Sequence, residues 1–228
     1  MRISLSFGAL TLMIAASASA GTLVGKLDLP QTPSAPQATK GFLDRTENPF
    51  APVRSIDLAH QVVIVVEGDE KPVSPGQVTW SLVGESFARP IVAVPAGAEV
   101  IIRNDSKVPR SLVVKDNPKL LDPGPLNPTA TKSFRATDAG KSYIVTDKDA
   151  PHLVGRIVVV NTQLVAYPDE SGHFQIDGVP AGNYKVKIWY RDNWLQRPDD
   201  DVVVTAKGKT ELNPKVAASA FAPAAPAK

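Results

Sequence analysis

Proline constrains this chain more than any other residue. Twenty-one of them punctuate the 228 residues, and between them the large apolar residues gather in short runs dominated by valine and isoleucine. A proline inside a helix removes a hydrogen bond and clashes with the preceding turn, at a cost of about 3 kcal/mol. No proline-free stretch sustains a 3.6-residue apolar period. β-branched residues in runs of four to eight, bounded by Pro, Gly, Asp and Asn, read instead as strands. The sequence therefore predicts an all-β protein.

Taken in order, strands are expected at Thr22–Leu29, His60–Glu67, Val78–Val83, Ile91–Val94, Glu99–Arg103, Ser111–Lys115, Thr131–Ala136, Ser142–Thr146 and Leu153–Val160. The run Val62-Val63-Ile64-Val65-Val66 has the density of a strand buried on both faces. After Asp169-Glu170-Ser171-Gly172, a hairpin turn signal, strands are expected at His173–Ile176, Tyr184–Trp189, Asp201–Thr205 and Thr210–Leu212. Tyr184, Val186 and Ile188 fall on one face of their strand, and Lys185, Lys187 and Trp189 on the other, which suggests a sheet with one wet side. Pro30–Val53 reads as a linker anchored by Phe42 and Phe50, Asn117–Pro128 as an irregular loop with four prolines, and residues 217–228 as a disordered Ala/Pro tail.

Residues 1–20 have the form of a secretory signal. Arg2 precedes a short apolar core, and Ala16-Ser17-Ala18-Ser19-Ala20 offers small residues for cleavage near Ala20. No later segment approaches the ~20 apolar residues of a membrane-spanning helix. The expectation is a periplasmic or secreted protein that is not an integral membrane protein. The formal net charge of +2 gives no argument for a nucleic-acid partner. There is no cysteine, so neither disulfides nor thiolate chemistry is available.

The stretch from Phe87-Ala88-Arg89-Pro90 through Val94-Pro95-Ala96-Gly97-Ala98-Glu99-Val100 and Arg103-Asn104-Asp105 to Asp147-Lys148-Asp149-Ala150-Pro151-His152-Leu153-Val154-Gly155-Arg156-Ile157 resembles a cupredoxin of the plastocyanin-like, methylamine-utilisation-like exported group. The resemblance implies a Greek-key sandwich with a copper ion held by two histidines, a cysteine and a methionine. It places Arg110 at the first histidine, Asp147 at the cysteine, Ala150 at the second histidine and Leu153 at the methionine. None of these offers the expected donor, so the expectation is no metal and no other cofactor. A substitute site built on His152 with the carboxylates of its loop is the alternative. It would make the chain a metal-handling or electron-transfer protein, but a single imidazole is thin for a transition metal.

The later section, with Gly172-His173-Phe174 and Val179-Pro180-Ala181-Gly182-Asn183-Tyr184, resembles a carboxypeptidase-regulatory-like, transthyretin-like (prealbumin-like) sandwich. In that module the earlier strands would be Val24-Gly25-Lys26-Leu27 and Gln61–Glu67. Residues 21–70 and 161–216 would then form one discontinuous sandwich around a cupredoxin-like insert at 71–160. Two sequential units divided near residue 161 are the alternative.

No catalytic pattern stands out. Ser86 and Ser171 lack the Gly-x-Ser-x-Gly elbow, and Asp199-Asp200-Asp201 lacks the alternating ligand spacing of a calcium loop. Trp189, Tyr190, Arg191 and Trp194 form a candidate binding surface, since Trp, Tyr and Arg suit sugar stacking and protein contact. The alternative is that Trp189 and Trp194 close the end of a core. The sequence thus leads to a non-enzymatic binding or structural protein of the cell envelope. An envelope protein partner is expected, with a polysaccharide-binding module as the second reading.

Overall fold

The computed structural model describes residues 20–30, 58–68 and 75–221. The signal segment before Ala20, most of the Pro30–Val53 linker and residues 222–228 lie outside the described residues. Within them the chain is all-β. Its strands are β1 (Ala20–Lys26), β2 (Val62–Gly68), β3 (Gln77–Val83), β4 (Ser86–Phe87), β5 (Ile91–Pro95), β6 (Ala98–Asn104), β7 (Leu112–Val114) and β8 (Thr131–Ala136). They continue with β9 (Ser142–Asp147), β10 (Val154–Val160), β11 (Val165–Ala166), β12 (His173–Pro180), β13 (Gly182–Tyr190), β14 (Asn193–Trp194), β15 (Asp200–Val204) and β16 (Lys209–Glu211). No described helix is long and apolar enough to cross a membrane.

The strands form four sheets, ordered β4-β3-β6-β8, β5-β10-β9-β7, β11-β2-β13-β14 with β15 also on β13, and β12-β1-β16. They stack as four layers, because successive side chains of a strand point to opposite faces. Trp80, Leu82, Val100, Ile102 and Phe134 meet Val92, Val94, Leu112, Val145, Ile157 and Val159 in a first core. The other faces of β5 and β10 present Ile91, Ala93, Val158 and Val160 to Val63, Val65 and Trp189, making a second core. Val62, Ile64, Val66, Val186 and Ile188 then pack on Leu23, Phe174, Ile176 and Val179 in a third.

Strands β2, β5 and β10 are therefore apolar on both faces, and Val62 to Val66 are all fully buried. Burial of such side chains contributes about 1.5–3 kcal/mol each relative to exposure. The early strands pair with the late ones. Strand β1 lies between β12, antiparallel, and β16, parallel, and β2 lies between β11 and β13, both antiparallel.

Two expectations need correction. The face of β13 that carries Lys185, Lys187 and Trp189 is wet only at its first part. Lys185 is exposed, but Trp189 is buried in the second core, because the sheet of β5 and β10 covers that end. The Ala/Pro tail is also not featureless from residue 217 onward. Ala218–Phe221 form a 3-10 turn, Phe221 is buried, and its carbonyl accepts a hydrogen bond from the Tyr190 hydroxyl at 3.0 Å.

Candidate functional site

The four positions that the cupredoxin resemblance assigns to metal ligands lie at one end of the first sandwich. Arg110 leaves the loop after β6, and its backbone is bridged to Leu126 in both directions, at 3.0 and 2.7 Å. Asp147 ends β9, and its amide donates to the Leu153 carbonyl at 3.3 Å, while the Leu153 amide donates to the Ala150 carbonyl at 2.9 Å. This folds residues 147–153 into a tight loop that starts and ends beside Arg110.

Arg110 and Asp147 are both buried, with 7% and 2% of their surfaces exposed, and their charged groups stand 3.8 Å apart. The guanidinium also donates to the Gly84 carbonyl at 2.9 Å, and Asp147 Oδ1 accepts the Asp149 amide at 2.8 Å. Arg110 Nε and Asp147 Oδ2 carry no hydrogen bond.

This donor set does not fit copper. A guanidinium has no lone pair to give, and the free carboxylate oxygen faces that guanidinium. Ala150 offers no side-chain donor, and Leu153 is buried in the apolar core.

The loop before Arg110 is organised by Asn104, whose side chain is fully buried. Its amide donates to the Val108 and Leu126 carbonyls at 2.9 and 2.8 Å, and its oxygen accepts from the Ser106 amide and hydroxyl at 3.0 and 2.6 Å. The sequence signals this role only as an Asn followed by short polar residues, which tie their own backbone into turns.

Close in sequence to the buried pair or to its loop partners, three valines are exposed among charged or polar neighbours such as Glu85, Lys107 and His152. Val83, Val108 and Val154 are exposed to 53%, 47% and 45%. Each lies within two residues of an atom just described: Gly84 O, Arg110 or Leu153 O. Sequence reasoning passed over these valines. The available signal was an apolar residue beside Gly84 or Pro109, where a turn exposes its side chain.

His152 does not join the carboxylates of its own loop. It stands 3.9 Å from Glu85, with both side chains largely exposed. His60, Glu85 and His152 line one hollow of about 220 Å³. His173 is paired elsewhere, with Asp169 at 3.9 Å. Among the described residues, no three His, Cys, Asp or Glu are grouped to hold a metal ion. Among the described residues the alternative site of His152 with the carboxylates of its own loop is not assembled, because Asp147 turns inward to Arg110.

The aromatic segment is not an exposed row. Trp189 is buried in the second core and packs edge-on with half-buried Trp194, ring centroids 5.1 Å apart. Its indole N–H donates to the Arg191 carbonyl at 2.9 Å. Tyr190 points to the opposite face and is buried against Phe221, with centroids 5.1 Å apart. Arg191 adopts a positive φ of 50° and donates to the Gln61 side chain at 2.7 Å. Alternation along β13 separates Trp189 from Tyr190, so a flat sugar platform across Trp189, Tyr190 and Trp194 does not exist.

The second and third layers are joined by further contacts that the sequence did not reveal. The Ala93 amide donates to the Tyr167 hydroxyl at 2.9 Å, and the Arg89 guanidinium lies 4.3 Å above the Tyr167 ring. Arg156 is paired with Asp192. Burial raises the Tyr167 phenol above its ordinary pKa, against smaller opposing effects of the Ala93 amide and Arg89.

Residues 138–212 match an fn3-type family described as polysaccharide lyase family 4, domain II. The match begins in the turn before β9 and ends just past β16, so it crosses the division expected near residue 161. It is a different family from the carboxypeptidase-regulatory-like module. Among solved structures, amicyanin from Paracoccus versutus (Thiobacillus versutus) aligns at 17% identity over 41% of this chain and 96% of its own, with a TM-score of 0.33. An amicyanin variant in its reduced state gives 16%, 41%, 97% and 0.33, and a purple cupredoxin from Nitrosopumilus maritimus gives 18%, 36%, 97% and 0.33. No curated protein matches the chain.

Proposed function

We propose that this chain is an exported, non-catalytic binding protein that engages an envelope protein partner through the pole around Arg110 and Asp147. One observation carries the reading. Of the four large apolar residues exposed among the described residues, Val83, Val108, Val154 and Val203, three lie within two residues of Gly84, Arg110 or Leu153, which form that pole. Exposed apolar side chains interleaved with charged ones at one end of a sandwich fit a protein contact with a polar rim. In this reading residues 21–70 with 161–216 form one unit and 71–160 the other, a division favoured by the pairing of β1 and β2 with strands after residue 161.

The test is cross-linking in intact cells, purification of the mature protein, and identification of what accompanies it. A partner recovered with the native protein is expected to be lost in the Val83→Lys/Val108→Lys/Val154→Lys variant and retained in Val203→Lys, on edge strand β15. Equal recovery with both variants removes the pole as the docking surface.

A second reading, glycan binding, is favoured by the match to a domain of a polysaccharide lyase family. The buried positions of Trp189 and Tyr190 move any such site away from the segment that the sequence suggested.

A further inference from the structure

At the seam where the sheet of β10 meets that of β13 lies a cleft of about 380 Å³. Trp194 forms one wall. Gln196 and Asp199 follow it in the chain, Lys187 and Glu67 come from the neighbouring strands β13 and β2, and Asn161 stands at the end of β10. The volume lies at the small end of the range for ligand pockets, ~300–1,000 Å³, and suits one or two pyranose rings better than a longer chain.

The chemistry of the lining narrows the ligand. Trp194 is held perpendicular to Trp189, at an interplanar angle of 87°, so its ring is fixed in orientation. An aromatic wall with a set orientation can pack against the C–H face of a sugar. Asn161 and Gln196 are exposed amides, which both donate and accept, as sugar hydroxyls do.

The charged groups are already matched. Lys187 Nζ lies 2.6 Å from Glu67 Oε2, and Arg197, also on the lining, is paired with Asp200. Asp199 adds a carboxylate close enough to act on Lys187. The lining thus sets Lys187 and Arg197 against Glu67 and Asp199, and Asp200 outside it takes up Arg197, so the cleft has no unmatched cation to hold an anionic sugar. The cleft therefore disfavours uronic acids and other anionic sugars.

The geometry points to this cleft as a binding site for one or two neutral sugar residues, with Trp194 as the stacking wall and Asn161, Gln196 and Asp199 as hydroxyl partners. The proposal rests on the glycan reading and gives it a place and a charge class. The experiment is titration of the full mature protein with maltohexaose, cellohexaose and galactan-derived hexasaccharide, with polygalacturonate as the acidic comparison, followed by the indole N–H signals in NMR.

The expected result is a saturable shift of the Trp194 signal with at least one neutral sugar, the Trp80 signal unmoved, and binding at least about tenfold weaker in Trp194→Ala. Asn161→Ala and Gln196→Ala, both at exposed positions, are expected to weaken binding and so test the site without disturbing the Trp189 contact. Sugar binding that all three variants leave intact overturns the cleft and spares the glycan reading. Absence of binding to every sugar overturns both. Binding to polygalacturonate alone overturns the charge argument and the proposal with it.

Discussion

The buried Arg110–Asp147 pair permits a quantitative test of what holds the pole together. At 3.8 Å and an effective dielectric near 20, the attraction between two unit charges is about 4 kcal/mol. Taking each ion out of water costs several kcal/mol, so the pair contributes little net stability. Either partner left alone is different, because a single buried charge costs about 3–5 kcal/mol.

The two informative single variants are Arg110→Met and Asp147→Asn. The second keeps an acceptor for the Asp149 amide and removes only the charge. Each is expected to lower unfolding free energy by about 3 kcal/mol or more. The double variant is expected to lie within about 1 kcal/mol of the native protein, or above it. The resulting coupling energy, about 5 kcal/mol or more in magnitude, would exceed the range of about 0.5–3 kcal/mol usual for contacting residues, because each single variant strands a buried charge. Urea unfolding followed by tryptophan emission reads all four proteins, provided that the slope with denaturant stays constant. Single variants that each cost under about 1 kcal/mol, or a double variant equal to their sum, would refute the reasoning.

Other perturbations follow from the packing and the ionisable groups. A Cβ at Gly155 would stand 2.3 Å from Trp80 and 2.5 Å from Phe87, whose rings stack at 3.8 Å. Gly155→Ala is therefore expected to cost about 1–3 kcal/mol and to change Trp80 emission, whereas an unchanged denaturation curve would contradict the packing. Phe221→Ala removes a buried ring from the third core and is expected to cost about 3–5 kcal/mol. A loss below about 0.5 kcal/mol in thermal or urea unfolding would mean that the turn at 218–221 does not pack as described.

On the alkaline side, the Tyr167 phenol sits above its ordinary 10.0 because it is buried, and Lys187 above its ordinary 10.5 because of its hydrogen bond to Glu67. Both groups hold their proton longer in the folded state. Their stabilisation is complete below the unfolded pKa values and is lost as pH rises through the folded ones. The urea midpoint should fall above about pH 10, and the fall should be shallower in Tyr167→Phe/Lys187→Met. An equal slope in that variant would assign the alkaline loss to other groups.

The strands were legible because β-branched runs and prolines leave few alternatives, and because a run such as Val62–Val66 can be explained only by two covered faces. The boundary of Thr131–Ala136 was read as it is found. The covering of Trp189 was not legible. Lysines at 185 and 187 mark a wet face, and nothing local to β13 announces that a second sheet, whose strands β5 and β10 lie far away in sequence, caps only its far end. The same limit applies to the pole. Arg110 and Asp147 could each be seen as unsuited to a metal, but their pairing depends on a long-range contact that no spacing encodes. The exposed valines became visible only once the turns at Gly84 and Pro109 were placed.

The pair that adds little stability can still define the pole. The guanidinium ties the loop after β6 to Gly84, and the carboxylate ties the 147–153 loop to Arg110. Those contacts set the relative positions of Val83, Val108 and Val154. An apolar replacement would fill the same space while allowing several arrangements of the loops, since dispersion contacts have little directionality, whereas the charged hydrogen bonds of Arg110 to the Gly84 carbonyl and of Asp147 to the Asp149 amide have much. The Arg110→Met/Asp147→Asn protein is therefore expected to unfold at a similar urea concentration, to exchange the amide hydrogens of positions 110 and 147 faster, and to lose the envelope partner proposed for the native protein. Those two amides close the flanking loops onto Leu126 and Leu153, so their exchange reports loop order independently of global stability. Native exchange rates together with native partner recovery would show that the ion pair is a neutral occupant of the pole. Faster exchange with the partner lost would identify it as the element that shapes the binding surface.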